Sequence, residues 1–266
     1  MTIRFVKYQG AGNDFILVDN RLGTIQLGNA QVAHLCHRHF GIGADGLMLL
    51  EEAEQADFRM VYYNSDGEES TMCGNGGRCI TAFAHRLGMI ESRTTFIAID
   101  GLHEAQLRGG GIVDLHMQDV NDIAHYNDHS ILNTGSPHYV RWVSDVQHVD
   151  VFNEGRKVRY SELFMPKGIN VNFVQRLNDG LWVRTYERGV EGETLSCGTG
   201  VTASAIAATG AATGSFKTGI RTPGGTLEVS FVKDTPDSAK QVVLTGPAVF
   251  VFEGTVDVFE AFGIGN

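Results

Sequence analysis

Two cysteines, Cys73 and Cys197, have similar surroundings and lie about half the chain length apart. Each is followed by Gly-x-Gly and then by a run of small and apolar residues that is typical of a helix. A helix begins with N–H groups that its own carbonyls cannot pair, and with a partial positive charge. Such a position favours the thiolate form of cysteine and binds a carboxylate, which glycines allow to approach closely. Each motif therefore predicts a reactive thiol beside a carboxylate site.

Two such units facing one substrate carbon would place a thiol on each of its faces. One cysteine could then remove an α-proton, and the other could return a proton to the opposite face. This is the chemistry of a racemase or epimerase that needs no pyridoxal cofactor. The alternative is that a cysteine packs as a small apolar side chain. We expect that ordinary role for Cys36 and Cys79, whereas the repeated surroundings of Cys73 and Cys197 favour the reactive role.

The two cysteine motifs belong to an internal repeat. Each follows a strand-like segment and an acidic loop, and each helix ends near a glycine, Gly88 or Gly210. The second helix contains no charged residue, so we expect it to be buried on all sides. The sequence therefore predicts an α+β fold of two pseudo-symmetric halves, each strand-rich around a central helix. The predicted helices span residues 30–40, 78–87 and 201–209, and a turn is predicted at residues 109–111.

Composition and charge exclude several classes of protein. The 266 residues are 42% hydrophobic and carry a formal net charge of −10, without a basic patch, so we expect no nucleic-acid partner. No run approaches 18 apolar residues, and the N-terminus does not have the pattern of a signal peptide, so we expect no membrane association. The four cysteines are too sparse for a disulfide framework, which indicates a cytoplasmic protein.

A zinc site is the competing interpretation of the cysteines, because His34, His37 and His39 lie close to Cys36. Structural zinc sites prefer closely spaced CxxC pairs, and the sequence contains none. We therefore expect no metal, and we expect these histidines to lie along a helix and its end.

The motifs around the two cysteines, in their order along the chain, resemble the diaminopimelate epimerase family. The matching segments are GAGNDF at 10–15, GIGADG at 41–46, NSDGEESTMCGNGGRC at 64–79, GSPH at 135–138, IN at 169–170, ERGVEGETLSCGTG at 187–200 and TPGG at 222–225. The resemblance spans nearly the whole chain, and the two cysteine motifs are specific in combination. It implies two barrel-like halves, residues 1–118 with 252–266 and residues 119–251, and an active site in the cleft between them.

The resemblance also implies the catalytic residues. Cys73 and Cys197 match the acid/base pair, and Cys73 would be the base toward the LL isomer. His138 matches a histidine that supports the first cysteine, and Glu187 an acid that supports the second. Taken singly, His138 could be a surface histidine, and Glu187 with Arg188 could be a solvated charge pair.

The substrate-binding residues come from the resemblance as well. Those whose backbone amides would bind the carboxylate of the reacting centre are Gly74, Asn75, Gly198 and Thr199. Those that would contact the distal end of the substrate are Asn13, Asn64, Asn170 and Arg188, of which the arginine would grip the distal carboxylate. The alternative for the asparagines in glycine-containing loops is that they form turns.

One departure from the family pattern lies between Glu187 and Cys197. Many members have one residue fewer there, which leaves open whether Glu191 or Glu193 takes the second acidic position of the motif. In addition, Ser136 stands where asparagine is common, so the resemblance does not settle a substrate contact there.

The implied activity is epimerisation of LL-2,6-diaminopimelate to the meso isomer, without a cofactor, for the synthesis of lysine and peptidoglycan precursors. Members of the family often form homodimers. Two alternatives stay open. A proline or hydroxyproline racemase of the same fold would tend to carry MCGHG at the first motif and to lack ERG before the second. A non-catalytic small-molecule-binding protein would be indicated by loss of either cysteine, and both are present.

Overall fold

The structure is a computed structural model that describes residues 1–258; residues 259–266, part of the predicted segment 252–266, lie outside the described residues. The fold is rich in strands and contains four α-helices within the described residues, which confirms the predicted α+β class. Contacts divide the chain into two compact units. Within the described residues, unit 1 consists of Met1–Asp114 together with residues 247–258, and unit 2 of Leu115–Gly246.

Unit 1 contains a mixed sheet with two helices along its connections. Its strands are β1 (Thr2–Gly10), β2 (Asn13–Asp19), β3 (Gly46–Glu51), β4 (Phe58–Asn64), β5 (Arg93–Ala98), β6 (Gly101–Arg108) and β17 (Val249–Asp257). Their order in space is β17, β1, β2, β3, β4, β5, β6, and the β2–β3 and β4–β5 pairs are parallel. Helix α1 (Asn29–Cys36) connects the first parallel pair, and α2 (Gly74–Arg86) connects the second.

Unit 2 repeats this arrangement. Its strands are β8 (Ala124–His125), β9 (His129–Asn133), β10 (Pro137–Trp142), β11 (Asn170–Leu177), β12 (Gly180–Glu187), β13 (Gly192–Thr194), β14 (Gly214–Thr222), β15 (Gly225–Lys233) and β16 (Lys240–Pro247). The β10–β11 and β12–β14 pairs are parallel. Helix α3 (Val151–Arg159) connects the first pair, and α4 (Gly198–Ala208) connects the second. The internal repeat in the sequence therefore corresponds to a repeated order of strands and helices.

Strand β7 (Ile112–His116) contains the boundary between the units. A 3-10 turn at Gly109–Gly111 precedes it, as the sequence predicted. Gly110 and Gly111 have positive φ angles of 76° and 75°, which glycine adopts without strain.

The helix that follows each cysteine is buried. Helix α2 contacts β1, β2, β3 and β6, and its residues from Gly74 to Ala84 are all buried. Helix α4 contacts strands of its own unit from β9 to β15, and Val201 to Ala207 are buried, as predicted for a helix without a polar face.

The ends of the helices differ from the prediction in a consistent way. Both α2 and α4 begin directly after their cysteines rather than at residues 78 and 201. Glycine lowers helix propensity, so the first turns resemble loops in the sequence, but burial against the sheet compensates for this in the fold. Helix α1 ends at Cys36, before residue 40, and the short polar helix α3 was not predicted.

Among the residues that the structure describes, no helix combines the length and the apolar character needed to cross a membrane.

Candidate active site

Both predicted reactive cysteines are the residues that precede a helix. Cys73 has extended backbone angles (φ −92°, ψ 131°), and its carbonyl accepts from the N–H of Gly77 at 2.7 Å. Cys197 has a similar conformation (φ −116°, ψ 112°), and its carbonyl accepts from Val201 at 2.9 Å. Each thiol therefore lies at the positive end of a buried helix, as the sequence predicted.

Some of the motif glycines are required by packing rather than by a ligand. A Cβ atom at Gly76 would lie 2.3 Å from the Cε of Met48, on the neighbouring strand β3. A Cβ atom at Gly200 would lie 2.4 Å from Oδ1 of Asn172, on β11. The last glycine of each Cys-Gly-x-Gly motif therefore brings the helix close to the sheet, which keeps the first turn in place.

In unit 1 the structure brings three predicted site residues together. The Sγ of Cys73 lies 3.6 Å from Oδ1 of Asn13, at the start of β2. The same oxygen accepts from Nδ2 of Asn75 at 3.2 Å. Asn13 is thus part of the surroundings of the thiol, in addition to its position at the end of a glycine turn.

Asn64 has a turn-forming role. It ends β4, its N–H donates to the carbonyl of Glu68 at 3.0 Å, and its carbonyl accepts from Gly67 at 3.0 Å. A contact of its side chain with a substrate stays a prediction.

Two residues that support this half of the site were missed in the sequence. Asp45 accepts from Nδ2 of Asn13 at 2.6 Å, and Arg78 donates to Oδ1 of Asn75 at 2.8 Å. Arg78 is fully buried, and it also donates to the carbonyl of Gly74 at 3.1 Å. The sequence contained a signal for it, because Arg78 is the one charged residue between Cys73 and His85.

In unit 2, Asn170 and Arg188 form a cluster with Ser136. The backbone N–H of Arg188 donates to Oδ1 of Asn170 at 2.8 Å, and Nδ2 of Asn170 donates to Ser136 Oγ at 2.8 Å. The guanidinium of Arg188 lies 3.3 Å from the same hydroxyl. The arginine is half-buried and held in place, unlike a solvated surface charge.

Glu187, the neighbour of Arg188, contacts the adjacent strand β13. Its carboxylate accepts from Thr194 Oγ1 at 2.8 Å, across the β12–β13 pair. The β12–β13 pair therefore holds the carboxylate of Glu187 in place.

His138 is fully buried, so it is not a surface histidine. Its Nδ1 lies 3.0 Å from Nδ2 of Asn172; since an amide N–H₂ can only donate, Nδ1 is the acceptor and the proton is on Nε2. Burial lowers the pKa of His138 to about 3, and the charge of Arg188 acts in the same direction. The Nε2–H has no hydrogen-bond partner among the described residues.

Asn172 was also missed in the sequence. Asn170 and Asn172 are two residues apart on β11, so they lie on the same face of the strand. Two asparagines on one face of a strand, alternating with the apolar Val171 and Phe173, are a signal that sequence reasoning could have used.

At the second thiol, Gly198 and Thr199 form the start of α4. The Oγ1 of Thr199 lies 3.5 Å from Sγ of Cys197, and the carbonyl of Thr199 accepts from Thr134 Oγ1 at 2.8 Å. The backbone of the first turn of α4 is therefore hydrogen-bonded to Thr134, in the segment after β9.

The extra residue of the second motif lies in the turn between β12 and β13. Glu191 has a positive φ of 56°, and its N–H donates to the carbonyl of Glu187 at 2.8 Å. Its carboxylate accepts from Arg159 Nε, Tyr186 Oη and the N–H of Gly189, each at 3.1 Å. The turn that carries Arg188 is thus anchored at Glu191.

Glu193 has a different role, because its carboxylate forms two hydrogen bonds with Arg184, at 2.6 and 2.7 Å. The two acidic residues left open by the sequence therefore stabilise different contacts, one within the turn and one beside it.

The remaining two cysteines have the ordinary role that was predicted. Cys36 and Cys79 are buried, and burial raises the pKa of each thiol to about 12. Both therefore remain protonated and pack as small apolar side chains.

Comparison with known proteins identifies a family. The family model described as diaminopimelate epimerase matches residues 5–119 and 130–251. A diaminopimelate epimerase from Flavobacterium psychrophilum is 52% identical over 258 residues, which cover 96% of this chain and 100% of that protein. A diaminopimelate epimerase from Chlorobaculum tepidum is 43% identical over 258 residues, which cover 93% of this chain and 98% of that protein.

Solved structures share the fold at low sequence identity. A phenazine biosynthesis protein of the PhzF family from Bacillus anthracis has a TM-score of 0.75 at 15% identity and covers 97% of this chain and 100% of its own. A probable proline racemase from Agrobacterium radiobacter has a TM-score of 0.72 at 16% identity, and the match covers 98% of this chain and 94% of that protein. These likenesses establish the architecture and no particular activity.

Replacing Glu191 should loosen the turn that carries Arg188. Loss of an acceptor that binds several donors should favour local opening, so Glu191→Ala should increase tryptic cleavage after Arg188 about 10-fold. The initial rate of this cleavage can be followed by peptide mass spectrometry. Glu193→Ala is the matched control, because it removes an equal charge from the neighbouring strand. Equal cleavage rates in the two variants would contradict an anchoring role for Glu191.

The buried neutral state of His138 predicts a pH dependence of stability. The unfolded chain takes up a proton at this histidine below about pH 6.5, whereas the folded chain does so only near pH 3. The free energy of unfolding should therefore fall as the pH drops from 7 to 4, with this residue contributing up to about 1.4 kcal/mol per pH unit.

Urea titrations of the unmodified protein and of His138→Gln between pH 7 and pH 4 measure this contribution. The variant should show a shallower dependence of stability on pH, while a His34→Gln control, at an exposed position, should keep the original slope. Identical slopes in all three proteins would show that His138 is accessible to protons in the folded state.

Proposed function

The chain belongs to the diaminopimelate epimerase family, and on that premise we propose that it is an isomerase that converts LL-2,6-diaminopimelate to the meso isomer by inverting one α-carbon. The observation that carries the mechanism is the position of Cys73 and Cys197, each directly before the first turn of a buried helix. This position favours thiolate and binds carboxylate, the two requirements for removing a proton beside a carboxylate group.

Inversion requires one thiol on each face of the α-carbon. With Cys73 as the base toward the LL isomer, its thiolate takes the α-proton and the electron pair of the C–H bond passes to the carbon and its carboxylate. The thiol of Cys197 then donates its proton to the opposite face, which leaves Cys73 protonated and Cys197 as thiolate. The reverse reaction uses the two cysteines in exchanged roles, and no external oxidant, reductant or cofactor takes part.

The first turns of α2 and α4 would hold the carboxylate of the reacting centre. The backbone amides assigned to it are those of Gly74, Asn75, Gly198 and Thr199. Negative charge that develops on this carboxylate as the proton leaves would be stabilised by N–H groups and by two helix dipoles. The buried surroundings of both turns strengthen this interaction, since little water competes for the N–H groups.

Arg188 would bind the distal carboxylate of the substrate. Its guanidinium is already oriented by Ser136 and by the carbonyl of Lys167, at 3.3 and 3.4 Å, so less conformational entropy is lost on binding. Asn13, Asn64 and Asn170 are assigned to the polar distal end. Of these, Asn170 has contacts that also orient Arg188.

His138 and Glu187 would support the two thiols. A buried N–H donor without a partner is costly, so the Nε2–H of His138 is suited to an anion such as the thiolate of Cys73. Glu187, held by Thr194, would support Cys197. Both assignments follow the family resemblance, and the neutral state of His138 agrees with a role as hydrogen-bond donor rather than as a charge.

Exchange of the α-proton in D₂O tests the proposal. Under reducing conditions the protein should incorporate deuterium at the α-carbon of diaminopimelate and form the meso isomer, as followed by NMR. Cys73→Ser and Cys197→Ser should each lower the rate at least about 100-fold, because a hydroxyl is a much weaker acid than a thiol and does not ionise to serve as the base. Cys36→Ser, at a buried position outside the site, is the control and should retain exchange.

Proline is the second substrate in this experiment. Exchange into proline without exchange into diaminopimelate would replace the proposal with the racemase alternative. Exchange into neither compound at high protein concentration would favour a binding protein and overturn the proposal.

An enzyme with this activity would supply meso-diaminopimelate for lysine and peptidoglycan precursor synthesis. We place it in the cytoplasm, because a pair of reactive thiols requires a reducing compartment.

We also propose a homodimer, which the family resemblance supports. Four successive apolar residues of β17 have 39 to 50% of their surface exposed: Val249, Phe250, Val251 and Phe252. Side chains alternate along a strand, so β17 exposes apolar surface on both of its faces, and exposed apolar surface is typical of an interaction site. Sedimentation velocity should give a dimer for the unmodified protein and for Leu163→Glu, which changes an exposed leucine in unit 2, and a monomer for Val251→Glu. A monomeric unmodified protein would overturn this assignment.

A further inference from the structure

The GIGADG segment has no role in the mechanism above, yet its aspartate contacts the site. The carboxylate of Asp45 accepts from Nδ2 of Asn13 at 2.6 Å. Asn13 in turn presents Oδ1 to the thiol of Cys73, at 3.6 Å. Asp45 is therefore linked to the thiol through one amide side chain.

The orientation of that amide follows from chemistry. An ionised carboxylate can only accept hydrogen bonds, so Asn13 must turn its N–H₂ toward Asp45 and its carbonyl toward Cys73. At the other end of the chain of contacts, the guanidinium of Arg78 can only donate, so Asn75 must turn its carbonyl toward Arg78 and its N–H₂ toward Asn13. Two charged groups thus fix the orientation of two amides.

Asp45 is itself held in place. It accepts from Arg38 at 2.7 Å and from the backbone N–H of Asp14 at 3.2 Å. Arg38 also binds Asp14, whose carboxylate forms an ion pair with the buried Lys7 at 2.8 Å. The carboxylate that orients Asn13 is therefore part of an ordered network, and its position does not depend on a substrate.

We propose that Asp45 is a positioning residue for Cys73, which acts by directing the carbonyl oxygen of Asn13 at the thiol. A carbonyl oxygen accepts from S–H but offers no donor to a thiolate, so this contact favours the protonated thiol. The start of α2 favours the thiolate. Asp45 thus sets the balance between the two protonation states in the substrate-free protein.

This inference deepens the proposed function, since it concerns a thiol assigned to proton transfer, but its test needs no turnover. The variant Asp45→Asn replaces a group that can only accept with one that can also donate. The Asn13 amide is then free to turn its N–H₂ toward Cys73, where it would stabilise the thiolate. Asp100→Asn is the matched control. It removes an equal charge from a carboxylate that binds the N–H of Met72, beside Cys73, but it leaves Asn13 untouched.

The measurement is the rate of iodoacetamide alkylation at Cys73 between pH 5.5 and pH 9.5, in reduced, substrate-free protein, resolved from the other cysteines by peptide mass spectrometry. Since only the thiolate reacts, Asp45→Asn should move the midpoint of the pH profile downward by about one pH unit and raise the rate at pH 7 about 3- to 10-fold. Asp45→Glu, which keeps an acceptor-only group, should restore part of the original profile.

A second variant keeps the proposal testable if Asp45→Asn does not fold, as judged by circular dichroism. Asn13→Ala removes the carbonyl while leaving Asp45 bound to Arg38, and it should also lower the midpoint. A profile of Asp45→Asn that coincides with that of Asp100→Asn, or an unchanged profile in Asn13→Ala, would overturn the proposal. Because no substrate is present, a failure to exchange diaminopimelate in D₂O would leave this result unaffected.

Discussion

The structure depends on the way in which two buried helices begin. A helix cannot pair the N–H groups of its first turn with its own carbonyls, and burial of such groups is costly unless they bind something. In α2 and α4 these turns directly follow Cys73 and Cys197, and close packing keeps them in place: Gly76 lies against Met48, and Gly200 against Asn172. The same feature that makes these turns demanding to fold makes them suited to bind a carboxylate beside a thiol.

Around this shared feature the two units place different polar groups. In unit 1, Asn13 and Asn75 connect the acceptor Asp45 with the buried donor Arg78, so the orientation of both amides is determined by charge. In unit 2, the buried neutral His138 is held by Asn172, whose Oδ1 accepts from Thr185 at 2.9 Å. A repeated scaffold thus carries unlike polar groups in its two units. This agrees with the proposed reaction, in which one thiol holds a proton while the other lacks one.

Several of these features could be predicted from the sequence, because they depend on local patterns. The Cys-Gly-x-Gly repeat placed both thiols at helix starts, and the uncharged segment after Cys197 predicted a buried helix. The predicted helices began at residues 78 and 201, about one turn late, since glycine disfavours helix in isolation. Helix α3 was missed because it is short and polar, although α1 occupies the corresponding place in the repeat.

The sequence by itself determined the residue types around the two thiols, the internal repeat and the family. These depend on short motifs and their order, which can be read directly along the chain. Tertiary structure alone decided which polar groups meet across strands: Asp45 with Asn13, Ser136 with Arg188, and Glu191 with Arg159. Asp45 and Asn13 are 32 residues apart in the sequence, Ser136 and Arg188 are 52 apart, and Glu191 and Arg159 are 32 apart. No local pattern specifies such pairings, since they depend on the register of the sheet and on the burial that follows from it.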